Sequence, residues 1–359
     1  MTRVCGATAI LCAAAFSPRQ AHAFCRYTTA TPPSWDPIVE GECYAPDPTH
    51  DAFALYWPNL CVGYSIQQGA SRYVTLDDAT SIAAQAFAAW SHASCSNGST
   101  PSIQAINNGP SVCSQVQFNR YEPNQNVIIF RDDDWPSDYD AHWLALTTVQ
   151  FYLNSEDPGD PRNGQILGAD MELNESNFRL VADAGGSSES GSIATYPLLP
   201  VLMHEAGHFL GLGHSTDTAS LMYALYRPSP TASLTDDDSQ GLCSIDLVGG
   251  LRSISSGGLF DAGNLCDPTP TNGFQSECGD ASGGGPSTSE AGTDASTEIG
   301  YDSGETTVGI RAYGGCSVSN SNASSSSNTT YMGHSLALGV VISCLWRRRR
   351  DRQRFRVHS

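Results

Sequence analysis

The sequence predicts an α+β domain in which helices pack on a twisted, mixed β-sheet. Two observations carry this prediction: segments with apolar residues at helical spacing alternate with short segments rich in Val, Ile, Phe and Thr. Both patterns occur between residues 24 and 248, and about 225 residues are enough for one hydrophobic core. The sequence shows no internal repeat.

Three helices are predicted. The first covers residues 76–92, where Thr75 and Asp78 have the spacing of a capping box at the amino end. The second covers residues 198–210, and the third begins near Leu234. Three acids at the start of the third helix favour its positive amino end: Asp236, Asp237 and Asp238.

Three strands are predicted for residues 126–130, 144–152 and 165–173. Each is short, rich in β-branched or aromatic residues, and bounded by turn residues. Beyond residue 248 the composition changes, because Gly, Ser, Thr, Asp and Asn dominate residues 249–330. Such a segment buries too little apolar area to offset the entropy lost on ordering, so it is predicted to be a flexible stalk.

The chain is strongly acidic: 37 Asp and Glu residues against 18 basic residues give a formal net charge of −19. This charge repels phosphate backbones, so nucleic acid is excluded as a partner. All the basic residues are Arg, and the absence of Lys excludes Schiff-base and lysine-nucleophile chemistry.

Cysteine is abundant, with 12 residues, which indicates an oxidising compartment. Eight cysteines precede Cys316 and follow the amino-terminal apolar run; they are residues 25, 43, 61, 95, 113, 243, 266 and 278. An even number predicts disulfides, but the sequence does not select among the pairings. We expect Cys243 to tie the carboxyl helix back to the domain, and Cys266 to pair with Cys278 in a small loop.

Both ends of the chain are predicted to be targeting segments. Residues 1–23 combine a basic residue, an apolar run and small residues before position 24, which predicts a cleaved secretory signal peptide. Residues 331–346 are mostly apolar and precede an arginine-rich stretch, residues 347–359, which predicts a transmembrane segment with a cytoplasmic tail. The expected protein is therefore exported, and is either anchored at the cell surface or secreted after loss of its tail.

The carboxyl end also has a specific resemblance. Gly-Gly-Cys-Ser at residues 314–317, the polar spacer, the apolar stretch and the arginine cluster together resemble the myxobacterial C-terminal sorting tail. That resemblance implies that a peptidase removes the membrane anchor. A plain tail anchor is the alternative.

The candidate chemistry lies between His204 and His214, where the sequence fits H-E-x-x-H-x-x-G-x-x-H at every fixed position. On a helix, His204 and His208 lie one turn apart and can share one zinc ion. His214 reaches the same ion only if the chain leaves the helix near Gly211, where glycine tolerates a left-handed backbone. Three neutral imidazoles leave a fourth zinc position for water, as in catalytic sites.

Glu205 follows the first histidine and is not needed as a ligand. Its predicted role is that of a general base, which takes a proton from the water that zinc activates and passes it to the leaving amine. The alternative is a carboxylate that makes only a surface ion pair.

The extended motif resembles the metzincin clan of metallopeptidases, and Ser215 with Leu221-Met222-Tyr223 resembles the matrixin family within it. The resemblance covers roughly residues 55–248 and implies a zincin fold with a small C-terminal subdomain below the zinc cleft. It implies that Met222 forms a Met-turn beneath the metal without binding it. Ala224 replaces the proline of matrixins and the tyrosine ligand of astacin-like relatives, so no tyrosine ligand is implied.

The resemblance also implies how substrates and calcium bind. Extended peptides would add as a strand to an edge strand, for which Leu144, Ala145 and Leu146 are the candidates. Calcium is implied besides zinc, with Asp170 and the acidic run at residues 132–134 as candidate ligands. Solvated surface acids are the alternative for these carboxylates.

Latency is a further question, because Cys43 lies in a segment similar to the cysteine switch of the family. Glu42 and Tyr44 replace the arginine and glycine of that switch, and a disulfide is the alternative for Cys43. Residues 24–54 are accordingly predicted to be a disulfide-containing extension of a metallopeptidase domain that spans residues 24–248.

The sequence thus predicts an exported, monomeric, zinc-dependent endopeptidase that acts on proteins or peptides. One alternative is a catalytically silent, zinc-containing surface module for adhesion or binding, against which the intact Glu205 argues. Another is a maturation protease that processes its own chain.

Overall fold

The computed structural model describes residues 23–32, 35–182, 193–227, 232–255, 258–263, 265–278, 307–314 and 316–318. All of these residues belong to one unit, Met1–Ser319. The predicted signal peptide, apart from its last residue, and the predicted hydrophobic segment and tail lie outside them. No helix within the described ranges is long and apolar enough to cross a membrane.

The strands, in chain order, are β1 Cys61–Gln67, β2 Gln104–Ser111, β3 Val127–Arg131, β4 Ala145–Leu153, β5 Ile166–Asn174, β6 Arg179–Val181, β7 Thr195–Pro197, β8 Leu251–Ser253, β9 Leu259–Asp261 and β10 Thr307–Gly314. The helices are α1 Pro37–Glu40, α2 Leu76–Ser91, α3 Leu198–Phe209 and α4 Asp236–Ile245, with short 3-10 turns at Pro48–His50 and Val248–Gly250.

Six strands form the main sheet, in the order β10-β4-β5-β3-β1-β2. The pairs β1–β2, β1–β3 and β3–β5 are parallel, whereas β4 runs antiparallel to both β5 and β10. Strands β4 and β5 are almost fully buried, although one face of β5 carries the polar residues Asp170, Glu172 and Asn174. The sheet is therefore mixed, which confirms the predicted α+β class.

Helices α2 and α3 pack against each other and against the sheet. Trp90, at the end of α2, is fully buried and donates from Nε1 to the backbone oxygen of Met203 at 2.8 Å. Thr75 caps α2 by accepting a hydrogen bond from the amide of Asp78, as its spacing predicts. This contact between helices fixes α3, the element that carries His204, Glu205 and His208.

The predicted elements agree with the structure within one or two residues at their ends. In the main sheet the sequence analysis missed β1, β2 and β10, and it also missed the short strands β6 to β9. Strand β2 reads Gln-Ala-Ile-Asn-Asn-Gly-Pro-Ser and is mostly solvent-accessible, so it lacks the alternation of apolar residues that predicts a strand. Strand β10 lies within the segment whose composition predicted a stalk.

Four disulfides connect the described cysteines. They join Cys25 to Cys43, Cys61 to Cys266, Cys95 to Cys243 and Cys113 to Cys278. The Cys95–Cys243 bond confirms the prediction that Cys243 ties the carboxyl helix back. The predicted pairing of Cys266 with Cys278 was wrong, because Cys266 bonds to Cys61 of β1 and Cys278 bonds to Cys113.

The predicted start of a flexible stalk at residue 249 was also wrong. Cys266 and Cys278 attach residues 265–278 to the domain, and the side chain of Arg252 is fully buried. Its Nε donates to the backbone oxygen of Trp57 at 3.0 Å and lies 2.7 Å from Oδ1 of Asp246. The composition of this segment did not reveal that it is ordered, because disulfides and polar contacts, rather than buried apolar area, hold it in place.

Candidate active site

Helix α3 places His204 and His208 one turn apart in the interior of the domain. Their ring centroids are 4.7 Å apart, and the exposed fractions of the two residues are 1% and 0%. The chain then leaves the helix at Gly211, whose φ of 98° lies in the left-handed region. The third ring, His214, comes within 5.4 Å of His204 and 4.8 Å of His208, measured between centroids. The predicted turn at Gly211 is therefore present.

The three imidazoles point one nitrogen each at a common position. The candidate ligand atoms of His204, His208 and His214 all lie within 4.8 Å of one another. The Nε2 atoms of all three are buried and have no hydrogen-bond partner. Backbone carbonyls fix two of the rings through the other nitrogen: His204 Nδ1 is 2.7 Å from the oxygen of Leu221, and His208 Nδ1 is 2.8 Å from that of Leu212.

These residues fit a zinc ion. Burial lowers the pKa of His204 to about 4 and that of His214 to about 3, so that both rings are neutral near pH 7. Neutral imidazole is the form that binds zinc, and a carbonyl on Nδ1 selects the tautomer with a free Nε2. Three unpartnered buried nitrogen atoms are costly without a ligand, which favours a metal at this position.

Glu205 is fully buried beside the three histidines, and both of its carboxylate oxygens accept hydrogen bonds. Thr147 of β4 donates from Oγ1 to Oε2 at 2.6 Å, and the amide of Cys316 donates to Oε1 at 3.2 Å. Burial raises the pKa of Glu205 to about 7, although both hydrogen bonds act to lower it. The two hydrogen bonds therefore hold the carboxyl group in one position. Its burial is inconsistent with the alternative of a surface ion pair.

Met222 packs against α3 at Gly207. It is 2% exposed, and its backbone oxygen accepts from the amide of Ser215, next to the third histidine. A Cβ atom added to Gly207 would lie 2.3 Å from Sδ of Met222. The glycine between the two helical histidines thus permits the close approach of the methionine.

Asp238 holds the Met-turn to α4, a role that the sequence analysis missed. Its carboxylate accepts from the amides of Leu221 and Met222 at 2.9 and 3.0 Å, and from the hydroxyl of Ser220. The same carboxylate closes a capping box with Thr235 at the start of α4. From the sequence, only its favourable position at the helix amino end could be predicted.

The predicted substrate-binding residues Leu144, Ala145 and Leu146 are buried next to the site. Ala145 and Leu146 begin β4, and Leu144 immediately precedes it. Strand β10 pairs with the outer side of β4, with Gly314 opposite Leu146. The strand that was predicted to offer a free edge is therefore covered by a later part of the same chain.

Neither latency nor calcium binding is supported at the predicted residues. Cys43 is bonded to Cys25 and has no free thiol. Asp170 is buried and accepts from the amides of Val127 and Gln117, which makes it a structural link between neighbouring strands.

The acidic run at residues 132–134 pairs with arginine: Asp132 and Asp133 with Arg72, and Asp134 with Arg131. Within the described part of the chain, the three histidines are the one cluster of His, Cys, Asp or Glu that could hold a metal ion. A calcium site therefore stays a prediction without a described set of ligands.

Comparison of the sequence with known proteins identifies the family of this chain. The matrixin family model matches residues 56–245, which is more than half of the chain. The chain is 31% identical over 104 residues to metalloendoproteinase 1 of Glycine max, covering 26% of this chain and 34% of that protein. It is 38% identical over 84 residues to neutrophil collagenase of Homo sapiens, covering 22% and 17%.

Interstitial collagenase of Bos taurus is 48% identical over 50 residues, which cover 14% of this chain and 11% of the collagenase. The chain therefore spans about a third or less of the length of these relatives. The matched region nevertheless contains the three histidines, Glu205 and Met222, in the arrangement described above. The chain belongs to the matrixin family of metallopeptidases.

Proposed function

We propose that the protein is an exported zinc-dependent endopeptidase in which His204, His208 and His214 bind zinc and Glu205 is the general base. The observation that carries this proposal is the set of three buried, unpartnered Nε2 atoms beside a buried carboxylate. A structural zinc site would be closed by a fourth protein ligand. The described residues gather three ligands and place Glu205 next to them, which favours a catalytic site.

Zinc, when bound, would polarise the scissile carbonyl and lower the pKa of water. Glu205 receives the proton of the attacking water and delivers it to the leaving amine. Burial raises the pKa of Glu205 above its ordinary value, in the direction that favours a general base near neutral pH. Thr147 orients the carboxylate through the hydrogen bond to Oε2, so that Oε1 remains directed into the cleft.

The substrates we propose are extended peptides in proteins. Strand β4 with Leu144 lines one side of the cleft, and the segment after Met222 lines the other. Their backbone groups bond to a later part of the same chain, residues 307–314 and 316–318, in the way that they would bond to an extended substrate that replaces it. Four disulfides support folding in an oxidising compartment, in line with a protein that is exported or displayed at the cell surface. Calcium binding and a monomeric state are part of the proposal that no described contact supports.

The test is cleavage of denatured casein by the zinc-loaded protein without residues 1–23, alongside Glu205→Gln. We expect the variant to lose about 10²–10⁴-fold in rate, the usual contribution of a general base, while it retains about one zinc per chain. Glu40→Gln is the matched control, because Glu40 is exposed and lies on α1. Equal activity of Glu205→Gln and wild type would favour the binding-module alternative.

A further inference from the structure

A late segment of the chain occupies the cleft of the candidate site. We use the name tail segment for residues 307–314 and 316–318. Its strand β10 pairs with β4 along eight residues, from Thr307 opposite Leu153 to Gly314 opposite Leu146. Immediately after this strand, the tail segment passes Glu205. It therefore follows the outer edge of the sheet as an added strand and reaches the catalytic carboxylate.

The tail segment continues to bond with the wall formed by residues 142–144. The amide of Leu144 donates to the backbone oxygen of Cys316 at 2.8 Å. The amide of Val318 donates to the backbone oxygen of His142 at 3.1 Å. The backbone groups of alternate residues, Cys316 and Val318, thus bond to this wall, as in a regular antiparallel pair.

The residue between them bonds to the opposite wall. The amide of Ser317 donates to the oxygen of Ala224 at 2.9 Å, and the amide of Tyr226 donates to the oxygen of Ser317 at 2.7 Å. Both partners follow Met222 closely in the chain. The backbone of residues 316–318 is therefore clamped from two sides, with four hydrogen bonds that do not depend on its side chains.

The position of the Cys316 amide indicates which bond lies at the reacting centre. Its nitrogen is 3.2 Å from Oε1 of Glu205. In peptide hydrolysis the general base delivers its proton to the nitrogen that leaves, so the leaving nitrogen must be within hydrogen-bond reach of that base. The nitrogen of Cys316 meets this requirement. The carbonyl to which it is covalently joined belongs to residue 315, which lies outside the described residues.

The thiol of Cys316 does not take the fourth ligand position. Within the described part of the chain, the cluster of side chains that could hold a metal ion consists of three histidines and does not include Cys316. The Cys316 side chain is 3% exposed and packs with the hydrophobic core. It is therefore accommodated as a small apolar side chain, with the backbone rather than the sulfur directed at Glu205.

We propose that the protein hydrolyses its own peptide bond between Gly315 and Cys316. This inference rests on the proposed endopeptidase function. One water molecule is consumed: its oxygen bonds to the carbonyl carbon of Gly315, the C–N bond breaks, and Glu205 transfers the proton to the nitrogen of Cys316. The products are a carboxylate at residue 315 and an amine at residue 316. Cleavage separates the folded domain from the carboxyl-terminal part of the chain, including residues 331–346.

The experiment uses the chain from residue 24 to 359, purified with a metal chelator and then given zinc. Intact mass and amino-terminal sequencing follow the fragments, and casein cleavage is measured in parallel. We expect a new amino terminus at Cys316 in the wild type and none in Glu205→Gln. Cys316→Ala is expected to be cleaved at the same bond, because the backbone contacts of residue 316 do not need the thiol. Cys316→Asp is expected to lose cleavage, because it places a second buried carboxylate beside Glu205.

A second readout does not require activity. In zinc-free Glu205→Gln, alkylation of Cys316 by iodoacetamide, mapped by mass spectrometry, is expected to be about tenfold or more slower than in the unfolded chain, because a buried thiol is inert. Equal alkylation rates in the folded and unfolded chains would overturn the proposal, because the tail segment would then not occupy the cleft.

The remaining outcomes separate this inference from the function on which it rests. Casein cleavage with an intact Gly315–Cys316 bond overturns self-cleavage and leaves the endopeptidase in place. A zinc-loaded chain that cleaves neither casein nor itself overturns both. Cleavage at this bond in Glu205→Gln assigns it to a different peptidase. An intact Cys316→Ala chain with increased casein activity would show that the thiol maintains latency, which also overturns the proposal.

Discussion

The backbone amide of Cys316 donates a hydrogen bond to Oε1 of Glu205, although the two residues are 111 positions apart in the chain. The other carboxylate oxygen of Glu205 accepts from Thr147, which belongs to the central sheet. One partner is thus a permanent part of the fold, and the other belongs to a segment that a substrate would have to replace. We expect the carboxylate of Glu205 to keep its orientation when the tail segment leaves the cleft, because the bond to Thr147 remains.

Thr147→Val is expected to shift the pH dependence of casein cleavage. Removing the Oγ1 donor raises the pKa of Glu205, because that hydrogen bond stabilises its ionised form. Glu205 must be ionised to act as a base, so the acidic limb of kcat/KM should move up by about one pH unit. Thr148→Val is the control, because successive side chains of a strand point to opposite faces, so that Thr148 and Thr147 lie on different faces of β4. An unchanged acidic limb with normal zinc content would contradict the assigned role of Thr147.

Gly207→Ala is expected to destabilise the protein by about 1–3 kcal/mol, the usual cost of overpacking a core. The added Cβ would meet Sδ of Met222 at 2.3 Å and a ring carbon of Trp90 at 2.9 Å, so that α3 or the Met-turn must move. Zinc affinity should fall as well, because both neighbouring histidines are on α3. Urea unfolding and zinc titration measure the two effects. Gly69→Ala is the control, because its Cβ meets nothing within 4 Å.

A chain that ends at residue 248 is expected to be less stable than one that ends at residue 278. The shorter chain lacks Cys266 and Cys278 and leaves the buried Asp246 without Arg252. Loss of two disulfides alone should lower the free energy of unfolding by about 4 kcal/mol or more. Urea unfolding of residues 24–248 and 24–278 provides the comparison. Equal midpoints of urea unfolding for the two chains would support the predicted domain boundary at residue 248.

Glu175→Gln is expected to stabilise the protein at pH 8 and to have little effect near pH 4. Burial raises the pKa of Glu175 to about 8 from its ordinary value of 4.5, and Oε1 has no hydrogen-bond partner. The folded state therefore keeps this proton between pH 4.5 and 8 while the unfolded state loses it, so stability is lost as the pH rises through that interval.

The gain from this substitution at pH 8 should be of the order of a few kcal/mol, measured by urea unfolding across the pH range. Glu122→Gln is the control, because Glu122 is exposed. A difference between Glu175→Gln and wild type that does not vary with pH would show that the carboxyl group of Glu175 ionises normally in the folded protein.

The sequence was sufficient for those parts of the site that depend on local geometry. A helix puts His204 and His208 one turn apart, and a glycine with positive φ returns His214 to them, so the spacing alone specifies the cluster. The same holds for α2, where Thr75 and Asp78 mark the start of the helix.

Contacts between distant parts of the chain could not be predicted in this way. Nothing near Cys316 in the sequence shows that its amide reaches Glu205, and nothing near Asp238 shows that it holds the amide of Met222. The disulfide partners of Cys266 and Cys278 could not be predicted either, because the spacing of cysteines does not show which strands become neighbours. These contacts depend on the order of strands in the sheet, which is set by the packing of the whole domain.

The pairing of β10 with β4 is also expected to limit self-association. The outer edge of β4 carries a row of backbone donors and acceptors. The segment, Ala-Leu-Thr-Thr-Val-Gln-Phe-Tyr-Leu, is uncharged, lacks proline and is rich in β-branched and aromatic residues. While β10 is paired with β4, those groups are satisfied within the molecule. Cleavage after residue 315 leaves β10 attached to the domain, but if β10 then separates from β4, the same edge that can receive a substrate can also pair with another copy of the chain. Full access to the cleft therefore brings with it a tendency to aggregate, and a freed enzyme should depend on substrate or dilution to remain dispersed.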